Sequence, residues 1–226
     1  PPAQAAVAQR GMSMSYFVTG ATGFIGRQLV ERLLDRKGTI YVLVRPQSRD
    51  RFEAARAGWG RRAARRVVAV WGDLAQPQLG VKAADRARLK GRISHFFHLA
   101  AIYDLKAGAA EQETANIHGT EHALQFAQAV RAGRFHLVSS IAAAGLYKGT
   151  FREDMFEEAG RLDHPYFRTK HESEALVRER CKLPWRVYRP GIVVGHSQTG
   201  AIDKIDGPYY FFKAIQKLRQ TLPPWV

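Results

Sequence analysis

The sequence is poor in cysteine, in acidic residues and in long apolar runs. One of its 226 residues is cysteine, Cys181, so an internal disulfide framework is excluded and a reducing compartment, the cytoplasm, is expected. No apolar stretch approaches the roughly 18 residues of a membrane-spanning helix, so no transmembrane segment is expected. Residues 1–14 lack the apolar core of a signal peptide. They read as a disordered leader or as residues foreign to the natural chain, with Met12 or Met14 as a start. The 20 Asp and Glu stand against 35 Lys and Arg, a formal charge of +15. The shortage of acid is concentrated in residues 45–92, where 13 Lys and Arg meet 4 Asp and Glu. Arg56, Arg61, Arg62, Arg65 and Arg66 are expected on one helix. No nucleic-acid-binding signature accompanies them, and the only nearby aromatics are Phe52 and Trp59. A solvated helix face or a phosphate-rich small molecule therefore fits better than DNA or RNA. Metal ligands are missing too. His118 and His122 lie four apart on a helix, but the glutamate that follows the first histidine of an H-E-x-x-H zinc protease is absent, and no third ligand has suitable spacing, so no metal is expected.

What is present is an apolar content of 46%, ample for one α/β domain with a real core. The chain is organised around Ser15–Gly26 (SYFVTGATGFIG), in which an apolar run meets a glycine-spaced turn that opens into a helical pattern. Ile25, Leu29, Val30, Leu33 and Leu34 repeat at helical spacing, with Gly38 expected to cap the helix. A strand, a tight turn and a helix N-terminus make a pyrophosphate site: backbone N–H groups and the helix dipole face the anion, and missing Cβ atoms let it approach. Gly20 suits the turn, Gly23 the close approach and Gly26 the helix–sheet contact.

Apolar runs at 39–44, 67–71, 95–99, 135–139 and 184–188 read as further strands, and 114–132 and 165–180 as helices. The 39–44 run suits a strand buried on both faces. This alternation implies a doubly wound parallel α/β sheet with helices on both faces. The tip of the second strand carries Arg45 and no acid. A carboxylate there would hold a free ribose 2′-hydroxyl, whereas arginine suits a 2′-phosphate, so NADP is expected over NAD. Ala100 and Ala101 would let a ligand lie against backbone.

Tyr166 and Lys170 stand four apart on one helix face. A lysine cation favours the ionised form of a neighbouring phenol, whose pKa starts at about 10, so that it can exchange a proton with a carbonyl or alcohol. Ser140, at a strand end, can donate a hydrogen bond to the same oxygen. Cys181 reads as packing.

These residues resemble the extended type of the short-chain dehydrogenase/reductase superfamily, a Rossmann fold. Thr19–Gly26 matches its nucleotide loop, Gly72-Asp73-Leu74 its adenine contact and His98–Ala101 the segment beside the cofactor. Asn116 with Gly119-Thr120 matches its structural asparagine motif, and Tyr188–Val193 its nicotinamide-side loop. Ser139 or Ser140 could be the catalytic serine; Ser140 has the family's spacing, five residues before Gly145. The resemblance implies a catalytic trio of Ser140, Tyr166 and Lys170. It implies cofactor contacts at Gly20, Thr22, Gly23, Phe24, Ile25, Gly26, Arg45, Asp73, Leu74, Leu99, Ala100, Ala101, Asn116, Tyr166, Lys170, Pro190, Gly191, Ile192 and Val193.

More narrowly, the stretches 151–158, 164–174 and 206–213 resemble bacterial fatty acyl-CoA reductases, and the chain matches only the start of their N-terminal reductase domain. The implied activity is reduction, by NADPH, of an acyl-CoA thioester or fatty aldehyde to aldehyde or alcohol. A nucleotide-sugar epimerase or dehydratase, a hydroxysteroid dehydrogenase, or a silent NADP-binding module are the alternatives. Residues 15–226 would form the cofactor domain, with 195–226 the start of a truncated substrate-binding part. The aromatic-rich helix expected from Tyr209 to Leu218 could line an acyl tunnel, touch a membrane surface, or be an orphaned core face. A homo-oligomer is compatible with these features.

Overall fold

A computed structural model of the chain describes residues 14–101, 109–202 and 208–221. The expected leader, Met14 apart, lies outside the described residues. Six strands form one parallel sheet: β1 (Ser15–Thr19), β2 (Thr39–Val44), β3 (Val67–Trp71), β4 (His95–His98), β5 (Phe135–Val138) and β6 (Trp185–Tyr188). Their spatial order is β3-β2-β1-β4-β5-β6, with Phe17 opposite Tyr41 on one side and Phe96 on the other. The order reverses beside β1, so the C-terminal ends of β1 and β4 part to leave the crevice in which open α/β sheets bind ligands.

Two apolar layers hold the sheet. On one face Phe17, Phe96 and Phe135 stack across β1, β4 and β5 and pack with Phe126 of α6 (Gly119–Ala129). Leu89 of α4 (Ala83–Leu89) and Val177 of α7 (Pro165–Arg180) belong to the same layer. On the other face Tyr16, Val18, Ile40, Val42 and Val44 meet Val30, Leu33 and Leu34 of α1 (Phe24–Leu34). Phe52 of α2 (Arg49–Gly58) and Ala63 of α3 (Arg61–Arg66) complete that layer. All five residues of the central strand β1 are buried. In β2 burial alternates, with Tyr41 and Leu43 only partly covered, so the expectation that residues 39–44 are buried on both faces is corrected.

Three local expectations are corrected. The arginines of residues 56–66 do not share one helix: α2 ends at Gly58, and Gly60, at φ +78°, turns the chain before α3 starts. The first helix is not capped by Gly38. It stops at Leu34, and Arg66 donates to the carbonyls of Leu33, Leu34 and Gly38 at 3.3, 2.8 and 2.8 Å. A guanidinium thus supplies the donors that a glycine C-cap would have supplied from backbone. The expected helix 114–132 begins earlier and is not α throughout. It runs through α5 (Ala109–Gln112), a π-helical turn at Glu113–His118, and α6.

The described chain divides into two compact units after Arg189. The second consists of an irregular stretch, in which Gly195 N–H donates to the Tyr209 hydroxyl at 2.6 Å, and α8 (Pro208–Thr221). Among the described residues no helix is long and apolar enough to cross a membrane.

Candidate active site

The glycine turn has the shape its residues require. Gly20 sits at φ +73°, and a Cβ there would lie 2.7 Å from Ala100 N; a Cβ on Gly26 would collide with Gly20 O. These contacts draw β1, β4 and α1 together. Gly23 is the N-cap residue of α1, no side chain caps the helix, and no acid occupies its first turn. The first N–H groups therefore remain for an anion. Thr22, Phe24 and Ile25 complete the turn, Ile25 being exposed. Cations surround it: Arg27 and Arg51 both donate to Thr22 O, at 3.2 and 3.3 Å, and Arg49 stacks 4.9 Å from the Trp71 ring. Arg45, at the tip of β2, is exposed. Of the remaining basic residues here, Arg56 and Arg62 pair with Glu53 and Asp35, and Arg66 is the cap described above.

At the end of β3, Asp73 donates its N–H to Leu79 O at 2.7 Å and accepts from Ala75 N, which shapes the bend carrying Leu74. Leu99 N–H donates to Thr19 O at 3.3 Å, which keeps the chain extended beside the glycine turn toward Ala100 and Ala101. Asn116 is buried in the π turn, with its side-chain Nδ2 donating to Thr169 Oγ1 of α7 at 3.2 Å. Thr120 Oγ1 donates to Asn116 O at 2.6 Å, and Ser173 Oγ shares its proton between Thr169 O at 2.6 Å and Asn116 O at 2.8 Å. Side chains thereby compete for a carbonyl that the α ladder would use, and the helix widens locally.

Ser140, at the end of β5, caps the short turn Ile141–Ala144 by accepting from Ala142 N at 3.1 Å. That bond uses a lone pair and leaves the hydroxyl proton free to donate. His171 of α7 lies 2.9 Å from Ala143 O through Nδ1, tying this turn to the helix that carries Tyr166 and Lys170. Its ring stacks on Phe156 at 4.2 Å. His164 caps α7 by accepting from Tyr166 N at 3.1 Å.

Tyr166 is half-buried, and Lys170 Nζ lies 6.0 Å from its ring centroid. Lys170 is buried. Burial pulls its pKa down from 10.5 to about 8. It lines a small cavity with Asn116, Ala100, Ala101, His98 and Ser139, whose buried hydroxyl has no partner among the described residues. A buried cation and this hydroxyl beside the Gly20 crevice fit the sugar hydroxyls of a dinucleotide. Pro190, Gly191, Ile192 and Val193 fall in the irregular stretch of the second unit.

The buried ammonium has a measurable cost. The unfolded chain holds this proton up to about pH 10.5 and the folded chain only up to about 8. The folded state is therefore penalised fully below pH 8, and the penalty fades as pH rises toward 10.5. Lys170→Met is expected to stabilise the cofactor-free protein by up to about 3 kcal/mol at neutral pH. Urea unfolding at pH 7 and again near the upper end of that window should show the gain shrinking; a gain independent of pH would reject burial of the charge as its cause.

Sequence reasoning placed Thr19, His98 and Thr120 inside matched motifs without a role for their side chains, and gave none to Thr169 or His171, yet all five are engaged around the site. The signal for Thr19 and His98 was a polar residue at the end of an otherwise apolar strand. Of the features set aside there, His122 contacts Leu74 O at 2.9 Å, and among the described residues no group of three or more metal-ligating side chains occurs. Cys181 is half-buried with its pKa pushed up by burial, the state of a packing thiol.

Known proteins resemble this chain in sequence and fold. The chain is 33% identical over 210 residues to a non-canonical nonribosomal peptide synthetase, FrzA, of a Cladobotryum species, a match covering 84% of this chain and 20% of that protein. Among solved structures it is similar to the terminal R domain from the myxalamid PKS-NRPS biosynthetic pathway. The TM-score is 0.80 at 32% identity, over 95% of this chain and 57% of that one. The reductase domain of a nonribosomal peptide synthetase from Mycobacterium tuberculosis matches at TM-score 0.70 and 27% identity, over 82% of this chain and 49% of that one. The chain thus spans about half the length of these solved domains and a small part of the curated synthetase. The NAD-binding family described as Male sterility protein matches residues 18–225, and the chain belongs to that family, within the extended short-chain dehydrogenase/reductases.

Proposed function

We propose that this domain uses NADPH to reduce the carbonyl of an acyl thioester and release the acyl group as an aldehyde. The observation that carries the reading is the buried Lys170 ammonium, one helical turn from Tyr166 and in a cavity lined by Ala100 and Ala101 beside the glycine crevice. The glycine turn and the α1 N-terminus would hold the pyrophosphate, Lys170 the ribose of the nicotinamide, and Arg45 with its neighbouring arginines a 2′-phosphate. A bound reduced nicotinamide supplies hydride to the carbonyl carbon. Tyr166 donates its hydroxyl proton to the carbonyl oxygen, and Ser140 holds that oxygen through its free O–H. Lys170 keeps positive charge beside the phenol as the proton leaves. The resulting hemithioacetal loses the thiol to give the aldehyde, and a second round on the aldehyde gives the alcohol.

The thioester would arrive on a phosphopantetheine arm. Carrier-bound acyl groups are favoured by likeness to the reductase domains of peptide synthetases. Fatty acyl-CoA is the second reading, favoured by the exposed stripe of Phe211, Phe212, Ile215 and Leu218 on α8, suited to a long acyl chain. The second unit would then be the beginning of the substrate-binding part.

The test mixes the purified chain with NADPH and, separately, an acyl-pantetheine thioester, a long-chain acyl-CoA and the matching aldehyde, following loss of nicotinamide absorbance. Oxidation with a thioester supports the reading, and the ratio of the two thioesters separates carrier from coenzyme A. NADPH that binds and is consumed by none of them would reject reductase activity for this chain. Arg45→Ala is expected to narrow the preference for NADPH over NADH by about tenfold, the worth of one charge-assisted contact. An unchanged ratio would remove Arg45 from the 2′-phosphate.

A further inference from the structure

The polar residues beneath the site form one directed chain, and their donors and acceptors fix a protonation state. His98 is fully buried at the end of β4, with Nδ1 2.8 Å from Thr19 Oγ1 and Nε2 3.1 Å from Thr120 Oγ1. Thr120 spends its single proton on Asn116 O, at 2.6 Å, so its oxygen must accept from His98 Nε2–H. His98 Nδ1 is then bare and accepts the Thr19 hydroxyl proton. Thr19 Oγ1 in turn accepts the N–H groups of Leu99 and Ala100, both at 3.3 Å. The opposite tautomer would aim three donors at Thr19 Oγ1 and leave its own proton unplaced. Beyond Thr120 the chain continues: Asn116 Nδ2 donates to Thr169 Oγ1, and Thr169 Oγ1 donates to Tyr166 O at 3.3 Å. Burial, with Lys170 nearby, pulls the His98 pKa down to about 3, so the imidazole stays neutral.

We propose that His98, held as the neutral Nε2–H tautomer, is a positioning residue that locks the glycine-turn end of β1 to the π turn and, through Asn116 and Thr169, to the helix bearing Tyr166 and Lys170. Its mechanistic weight rests on the reductase reading; the lock itself does not. Nδ1 fixes the cofactor side and Nε2 the catalytic side, and the two halves can be cut separately. In His98→Asn the amide oxygen replaces the Nδ1 acceptor and nothing reaches Thr120. In His98→Gln the longer amide replaces the Nε2 donor and Thr19 loses its acceptor.

The test is residue-specific on the full chain. Nitrogen NMR of histidine-labelled protein should show His98 protonated at Nε2 and unresponsive to pH near 6.5, where an ordinary imidazole titrates. Amide exchange should rise about fivefold, the worth of one neutral hydrogen bond, around Asn116–Thr120 in His98→Asn and at Leu99–Ala100 in His98→Gln. A proton on Nδ1, titration near 6.5, or a uniform rise or no change across the chain in both variants would overturn the proposal. A wild-type chain that shows the tautomer and the split exchange but oxidises no NADPH would reject the reductase reading and leave the lock in place.

Discussion

Tyr166→Phe is expected to cut thioester-dependent NADPH oxidation by about a thousandfold, within the range for removal of a general acid. The substitution deletes one hydroxyl from a half-buried ring whose helix is held by other contacts. His164 caps its start, His171 ties it to the Ser140 turn, and Asn116 reaches Thr169. The crevice around Gly20 is built from β1, β4 and α1 and does not use the phenol. NADPH binding should therefore stay within about twofold, a difference of less than one hydrogen bond. Titrating NADPH fluorescence beside the kinetic assay separates the two effects. Turnover that survives would remove Tyr166 from proton transfer, and lost binding would mean that the ring helps to build the cofactor site.

Arg189→Met carries the largest expected loss of stability. Glu174 of α7 has a fully buried carboxylate, and Arg189 grips both of its oxygens at 2.6 and 3.0 Å while donating to Met155 O at 2.8 Å. Arg178 shares the same carboxylate at 2.8 Å and lies over the Phe156 ring. Removing Arg189 leaves a buried charge with one partner and an orphaned carbonyl, a cost of about 3–5 kcal/mol. For a chain of this size that corresponds to a fall of about 10 °C in Tm. Arg161→Ala is the contrasting case, because Arg161 and Asp163 are both exposed and such pairs contribute about 0–1 kcal/mol. Thermal unfolding of both variants checks the contrast, and similar losses would contradict the burial argument.

Legibility in the sequence followed the range of the interactions involved. The bounds of β2, β3 and α7 could be read from local apolar runs and helix-end residues, because strand propensity and a proline at the first helical position act within a few residues. The stop at Leu34 depends on a partner far along the chain, Arg66, which periodicity cannot register, whereas the break at Gly60 is a local glycine turn that the run of arginines masked. The trio of Ser140, Tyr166 and Lys170 was visible as a motif, and the fold brings the serine turn and the helix together through His171. The His98 chain was invisible as an arrangement, since it joins residues up to 81 positions apart. The Arg189 clamp was hidden for the same reason inside a stretch that reads as a cofactor loop.

The π turn at Glu113–His118 also bears on how this chain can change length. A π turn is an α-helix that has absorbed about one extra residue, so the segment carries a surplus that the backbone hides. Deleting a single residue there would restore α geometry with the flanking turns in register, while the residues inside the turn change place. Asn116 would leave its place between Thr120 and Ser173. A helix is usually a forgiving place for a conservative replacement and an unforgiving one for a frame change, and here the frame itself is part of the site. Engineers splicing this domain into other assemblies can trade loops at the surface, but the residue count between Gln112 and Gly119 has to travel unaltered.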